Sequence, residues 1–115
     1  MFAVKVDQVV LNQDSVDPPK STIAEGSPEI FSAILNTSAD GKIIRGVWKC
    51  TVGVVTDIEE NEMFTIIEGR ATVTIEDGPV LELSPGTVGF FEKGARTTWR
   101  IHENLLKTFQ ITLQS

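Results

Sequence analysis

Short turn signals divide much of this chain into segments of strand length. After residue 26, glycine follows Asp, Glu, Pro or Lys in five dipeptides, Asp40-Gly41, Glu68-Gly69, Asp77-Gly78, Pro85-Gly86 and Lys93-Gly94. Such dipeptides mark turns, and the segments between them alternate in polarity without a helical period. The 115 residues include 12 Val, 11 Ile and 12 Thr, and β-branched side chains favour strands. The pattern predicts an all-β fold, an antiparallel sandwich or barrel.

The first 25 residues differ from the rest of the chain. Residues 4–11 alternate like a strand, and Asp17-Pro18-Pro19-Lys20 then interrupts any strand. We expect residues 1–25 to form an N-terminal strand and arm and residues 26–115 to form one barrel domain, since domains typically have about 100–150 residues. Because barrel edges need cover, we also expect the N-terminal strand to join the sheet of a second subunit in a homodimer.

Charge and composition exclude several classes of function. A net charge of −6 argues against nucleic acids and anionic membrane surfaces as partners. No apolar run approaches the roughly 18 residues of a membrane span, and the N-terminus does not resemble a signal peptide. The single cysteine, Cys50, favours a reducing, cytoplasmic location. With one histidine and one cysteine, the chain lacks the usual ligands of transition metals, so we expect no cofactor.

Alternation assigns one face of each strand to the barrel interior. Residues 47–59 form two alternating sets, of which one is more apolar and should face inward. This set consists of Trp48, Cys50, Val52, Val54, Thr56 and Ile58. Glu62 and Phe64 share a face on the next strand. Near the end of the chain, Thr97 and Trp99 oppose Arg100 and His102, and Lys107 lies on an otherwise apolar face. We therefore expect one acid, one base, two hydroxyls and two indoles to meet inside the barrel.

Four segments in order carry a family resemblance. They read GVWKCTVG (46–53), EMFTIIEGRATVTI (62–75), LSPGTVGFFEKG (83–94) and Thr98-Trp99, followed by Lys107. Together they resemble the cupin-3 family, also called DUF861 or ureidoglycine-aminohydrolase-like cupins. The resemblance implies a double-stranded β-helix, the jelly-roll barrel of the RmlC-like cupins, with a functional site at its mouth and frequent dimerisation.

The chain departs from the metal-binding version of that family. The first cupin motif, H-x-H-x(3–4)-E-x6-G, fits Glu62 and Gly69, and a three-residue gap places Thr56 and Ile58 at the histidine positions. The second motif, G-x5-P-x-G-x2-H, fits Gly86 and Gly94 with Thr97 in place of histidine. Because three of four ligands are missing, the resemblance implies a cupin without the usual metal.

The candidate site follows from these faces and positions. Glu62 and Lys107 are the candidate catalytic pair, or else a structural ion pair. The candidate ligand-binding residues are Trp48, Thr56, Phe64, Arg96, Thr97 and Trp99. We interpret Cys50 as a buried, inert thiol, since no imidazole accompanies it, and His102 as a surface residue. The acidic residues Asp57, Glu59 and Glu60 are interpreted as part of a solvated loop.

Three functions remain open. The first is a binding module whose metal-free barrel pocket holds a small nitrogenous metabolite. The second is an enzyme similar to ureidoglycine aminohydrolases, acting on a small amino or ureido compound. The third is a structural or regulatory dimer without ligand chemistry.

Overall fold

A computed structural model describes residues 2–13 and 22–113, and strands dominate these residues. A 3₁₀ turn covers Val6–Gln8, and no α-helix occurs in the described ranges. The described strands are β1 (Asn12–Gln13), β2 (Ile23–Glu25), β3 (Ile30–Thr37), β4 (Ile43–Cys50), β5 (Gly53–Ile58), β6 (Asn61–Ile75), β7 (Val80–Leu83), β8 (Val88–Phe91) and β9 (Arg96–Thr112). The predicted all-β fold is confirmed.

Two long strands, β6 and β9, form the centre of the barrel and pair with each other along most of their length. Their halves at residues 61–66 and 105–112 lie in a sheet with β1, β3, β4 and β8. Their halves at residues 71–75 and 96–101 lie in a second sheet with β2, β5 and β7. All of these pairings are antiparallel. The curled, two-sheet arrangement is the jelly roll of a cupin.

Both long strands change direction at one bulge near Gly69. The register of β6 against β9 shifts between residues 66 and 71. Gly69 has a φ of +88°, and a Cβ at this position would lie 2.2 Å from the Asn104 backbone oxygen. Glycine is therefore required both by the backbone conformation and by the close approach of β9. Glu68-Gly69, which the sequence predicts to be a turn between strands, therefore lies in a bulge within a strand.

The interior contains the apolar faces of both sheets. The cross-strand partners Val73 and Trp99 are at most 3% exposed, and the Thr97 side chain lies on the same face. Lys107 also points inward, as the alternation predicts. At the predicted Asp77-Gly78 turn, the Gly78 N–H donates to the Ile75 carbonyl oxygen and closes a hairpin between β6 and β7. Alternation therefore assigns the inward face of β9 correctly.

The prediction that Thr56 and Ile58 face inward is wrong. The chain bends at residues 51–52, between β4 and β5, and a Cβ at Gly53 would lie 2.7 Å from Pro28 Cδ. This corner changes the parity of the inward face. Val55 pairs with the buried Trp99 and is 5% exposed, whereas Ile58 is 58% exposed.

The N-terminal residues also differ from the prediction. Residues 4–11 contain the 3₁₀ turn rather than a strand, and Val10 is 77% exposed. The short strands β1 and β2 pair with β3 and β5 of the same chain. The Asp17-Pro18-Pro19-Lys20 segment lies outside the described residues. The homodimer stays a prediction. No helix in the described ranges is long and apolar enough to span a membrane.

Candidate functional site

An ion pair between Glu62 and Lys107 lies inside the barrel. Glu62 comes from β6 and Lys107 from the second half of β9, and their side chains are 7% and 6% exposed. The Lys107 Nζ donates to Glu62 Oε2 at 2.6 Å. Charge-assisted hydrogen bonds of this kind are short and strong. The two residues predicted to form the catalytic pair are thus in direct contact.

Aromatic rings surround the ammonium of this pair. The Lys107 Nζ lies 4.6 Å from the ring centroid of Trp48, 4.7 Å from that of Trp99 and 5.5 Å from that of Phe64. These distances are within the range of cation–π attraction. The rings also pack on one another, with 5.7 Å between the Trp48 and Trp99 centroids. Lys107 therefore has a carboxylate and three aromatic rings as neighbours.

A second buried carboxylate, Glu59, lies in the turn between β5 and β6. The Glu59 N–H donates to the Ala95 carbonyl oxygen at 2.9 Å, and the Glu59 carbonyl oxygen accepts from the Gly94 N–H at 2.8 Å. These bonds fix the turn against the next barrel loop. The residue is only 5% exposed, so its interpretation as part of a solvated loop is wrong.

Neutral donors bind the Glu59 carboxylate. Its Oε2 accepts hydrogen bonds from Thr97 Oγ1 at 2.8 Å and from Trp99 Nε1 at 3.1 Å. Burial, followed by the charge of Asp57, raises the pKa of Glu59 to about 7, while Lys107 and the Thr97 hydrogen bond oppose this rise. At neutral pH the group is therefore close to the midpoint between its neutral and charged forms.

The structure brings six of the eight predicted site residues together: Trp48, Glu62, Phe64, Thr97, Trp99 and Lys107. It separates the other two from them. Arg96 is exposed and pairs with Ile58 on the outer face of the sheet. Thr56 has the same outward parity, and its hydroxyl group is 3.5 Å from the Thr22 carbonyl oxygen. Glu59 replaces them as the additional polar member of the site.

The two remaining reactive side chains lie where the sequence analysis expects. Cys50 is buried, and burial raises the pKa of its thiol to about 11 despite the nearby positive charge of Lys107. His102 is exposed and shares a hydrogen bond with Thr72 Oγ1 at 2.8 Å. Clefts of about 210, 370 and 400 Å³ lie among the described surface residues. Phe64 lines the smallest of them, but Glu59, Glu62 and Lys107 line none of the three.

Fold and site together define a cupin barrel with a carboxylate-rich interior. The model of the EutQ-like cupin domain, Cupin_3, matches residues 37–109, and the chain belongs to this family. The resemblance that the sequence motifs carry is confirmed. No match was found among curated proteins.

Solved structures support the same fold. A DUF861-family protein of unknown function from Pseudomonas syringae pv. tomato has a TM-score of 0.80 at 24% identity, covering 91% of this chain and 45% of that one. The chain thus spans less than half the length of that protein. The EutQ protein of Clostridium difficile has a TM-score of 0.65 at 17% identity, with coverage of 90% and 93%. A DUF861-family protein from Thermotoga maritima is 30% identical over 56% of this chain and 75% of that one, with a TM-score of 0.53.

The residues at this site do not fit the metal that many cupins bind. The corner at residues 51–52 shows that the four-residue gap of the first motif applies, so the histidine positions belong to Val55 and Asp57. With Glu62 and Thr97, the set provides two carboxylates and no imidazole. No group of three or more His, Cys, Asp or Glu residues suited to a metal ion occurs in ranges 2–13 and 22–113. The Lys107 ammonium, moreover, already contacts Glu62.

Proposed function

We propose that this cupin is a binding module for a small nitrogenous metabolite, whose ammonium group pairs with Glu59 at the mouth of the barrel. The observation that carries the proposal is the state of the Glu59 carboxylate. It is buried, it accepts from a hydroxyl and an indole, and it has no cationic hydrogen-bond donor among the described residues.

The charges in the interior support a cationic ligand. Two carboxylates, Glu59 and Glu62, lie near one ammonium, and that ammonium is 2.6 Å from Glu62. A buried charge without a partner is costly, so Glu59 tends to take up a proton. A ligand that brings its own positive charge would supply the missing partner and favour the ionised form.

The surroundings of Glu59 support a small ligand with polar and apolar parts. The Trp99 indole contributes both an N–H donor and an apolar face, which suits a molecule that carries an amine on a short carbon skeleton. Asp57 lies beside the turn and is exposed, so the acidic end of the barrel reaches solvent. Long-range attraction by this acidic end favours the approach of a cation.

A binding experiment with matched variants tests the proposal. Thermal shift and isothermal titration calorimetry would use amino acids, ureido acids and short polyamines against the wild-type protein, Glu59→Gln and Glu60→Gln. Glu60 belongs to the same turn but is only half buried, so it controls for a change of net charge. We expect at least one amine to bind the wild-type protein and Glu60→Gln, and its affinity to fall at least tenfold in Glu59→Gln.

Two results would refute this function. One is a wild-type protein that responds to none of these compounds at millimolar concentration. The other is binding that Glu59→Gln leaves unchanged, because the ligand would then have to pair with a different group.

A further inference from the structure

The environment of Lys107 has the composition of a binding site for an organic cation. The whole Lys107 residue is only 5% exposed. One carboxylate oxygen lies 2.6 Å away, and two indole rings and one phenyl ring lie within 5.5 Å. Carboxylates combined with aromatic faces are the groups with which proteins recognise alkylammonium ions.

The same surroundings are poor ligands for a metal ion. Hard cations require six to eight oxygen ligands or near-octahedral geometry, and transition metals prefer imidazole or thiolate. Rings supply none of these donors. The interior therefore discriminates by chemistry, since it favours a weakly hydrated organic cation over a metal ion.

We propose that the interior of the barrel is an alkylammonium site that the chain occupies with its own Lys107 side chain, and that removal of this side chain opens the site to free primary amines. The cage consists of Glu62, Trp48, Phe64 and Trp99. This proposal does not depend on the proposed binding at Glu59. That binding uses a different carboxylate and concerns a ligand from solution.

Chemical rescue of Lys107→Ala tests the inference. The probe is n-butylammonium, which has the carbon chain and the ammonium group of a complete lysine side chain, and the readout is the melting temperature. We expect the Tm of the variant to fall well below that of the wild-type protein and to rise by about 5 °C in excess n-butylammonium. Manganese, nickel and zinc chlorides at equal concentration should give no such rise.

Two double variants separate this site from the proposed ligand site. Lys107→Ala with Glu62→Gln should lose the rescue, because the carboxylate that holds the amine is gone. Lys107→Ala with Glu59→Gln should keep it. Lys49→Ala is a matched control, since the Lys49 Nζ also lies over an aromatic ring, 5.9 Å from the Phe31 centroid, but on the half-buried surface. That variant should gain no response to n-butylammonium.

The wild-type protein provides a second measurement if Lys107→Ala does not fold. In proton-detected NMR spectra, the enclosed side chain should show ε-methylene protons shifted upfield by the rings and a protected ammonium signal. The inference is overturned if these signals resemble those of a surface lysine. It is also overturned if folded Lys107→Ala gains no stability from n-butylammonium, or if it binds a stoichiometric metal ion instead.

Discussion

Glu62 and Glu59 are three residues apart in the chain, and both are less than one-tenth exposed, yet their environments differ. Glu62 lies on a strand and contacts an ammonium group. Glu59 lies in a turn and contacts a hydroxyl and an indole. Burial alone therefore does not determine the charge of a carboxylate. The nature of its hydrogen-bond donors also matters, since the neutral donors of Glu59 leave this buried group able to exchange a proton near neutral pH.

The largest change in stability is expected when Glu62 is substituted. Glu62→Gln keeps the side-chain volume but leaves the buried Lys107 ammonium without its counterion, so the free energy of unfolding should fall by about 3 kcal/mol. Urea denaturation followed by tryptophan fluorescence measures this change. Glu68→Gln, at an exposed position of the same strand, is the control and should stay within about 0.5 kcal/mol of the wild type. A loss below about 1 kcal/mol for Glu62→Gln would show that the pair is not enclosed as described.

For Glu59, the expected effect is on the pH dependence of the free energy of unfolding. Its pKa is about 7 in the folded protein and near the ordinary glutamate value of 4.5 when unfolded. Between these values the folded state holds a proton that the unfolded state has released, so this contribution is complete below the lower pKa and is lost as pH rises through 7. We expect this group to reduce the unfolding free energy by about 1–3 kcal/mol between pH 5 and pH 8.

The variant Glu59→Gln isolates this contribution from that of other acids. It has no titrating group at this position, so the difference between its unfolding free energy and that of the wild-type protein should vary with pH over the same window. A pH-independent difference would mean that Glu59 titrates normally and has solvent as its main partner.

Two substitutions in β5 test which of its side chains face inward, and their expected effect on stability is intermediate in size. Val55→Thr places a hydroxyl group in the apolar interior and should cost about 1–2 kcal/mol. Ile58→Thr changes an exposed side chain and should cost at most about 0.5 kcal/mol. Thermal unfolding of both variants checks the inward parity. The reverse order of losses would restore the three-residue gap of the cupin motif and place Thr56 inside the barrel.

The smallest effect is expected at Thr97. Thr97→Val preserves shape and removes the hydroxyl donor to Glu59, at a cost of about 1 kcal/mol. Because this hydrogen bond lowers the pKa of Glu59, its loss should move the carboxyl titration observed by ¹³C NMR to a higher pH. Thr98→Val, on the opposite face of β9, should leave the titration unchanged. A shift to lower pH in Thr97→Val would contradict the assigned hydrogen bond.

The sequence is informative about this molecule where a strand is unbroken. The period of two residues is enough to place Lys107, Thr97 and Trp99 inside the barrel, and ordered motifs indicate the family. The prediction from alternation fails at the corner near Gly53, because the bend there changes which alternate residues face inward. The polarity pattern of a strand does not indicate such a change.

Glu59 could not be predicted for a related reason. The residue lies in a turn, where alternation gives no information about burial. Its position depends on backbone hydrogen bonds to Gly94 and Ala95, which are distant in sequence. A cluster of acidic residues is usually solvated, and only the fold of the Lys93-Gly94 loop over this turn makes one member an exception.

The central position of β9 has a consequence for the order of folding. This strand ends the described part of the barrel and pairs with β4, β5 and β6, so each of these strands lacks a neighbour until the strand has been synthesised. The resulting contacts are distant in sequence, and such topologies fold slowly. While the ribosome is still adding residues 96–112, the preceding strands have open edges that are prone to aggregation. We therefore expect the barrel to close only after translation of β9, and nascent chains that stop before this strand to depend on chaperones.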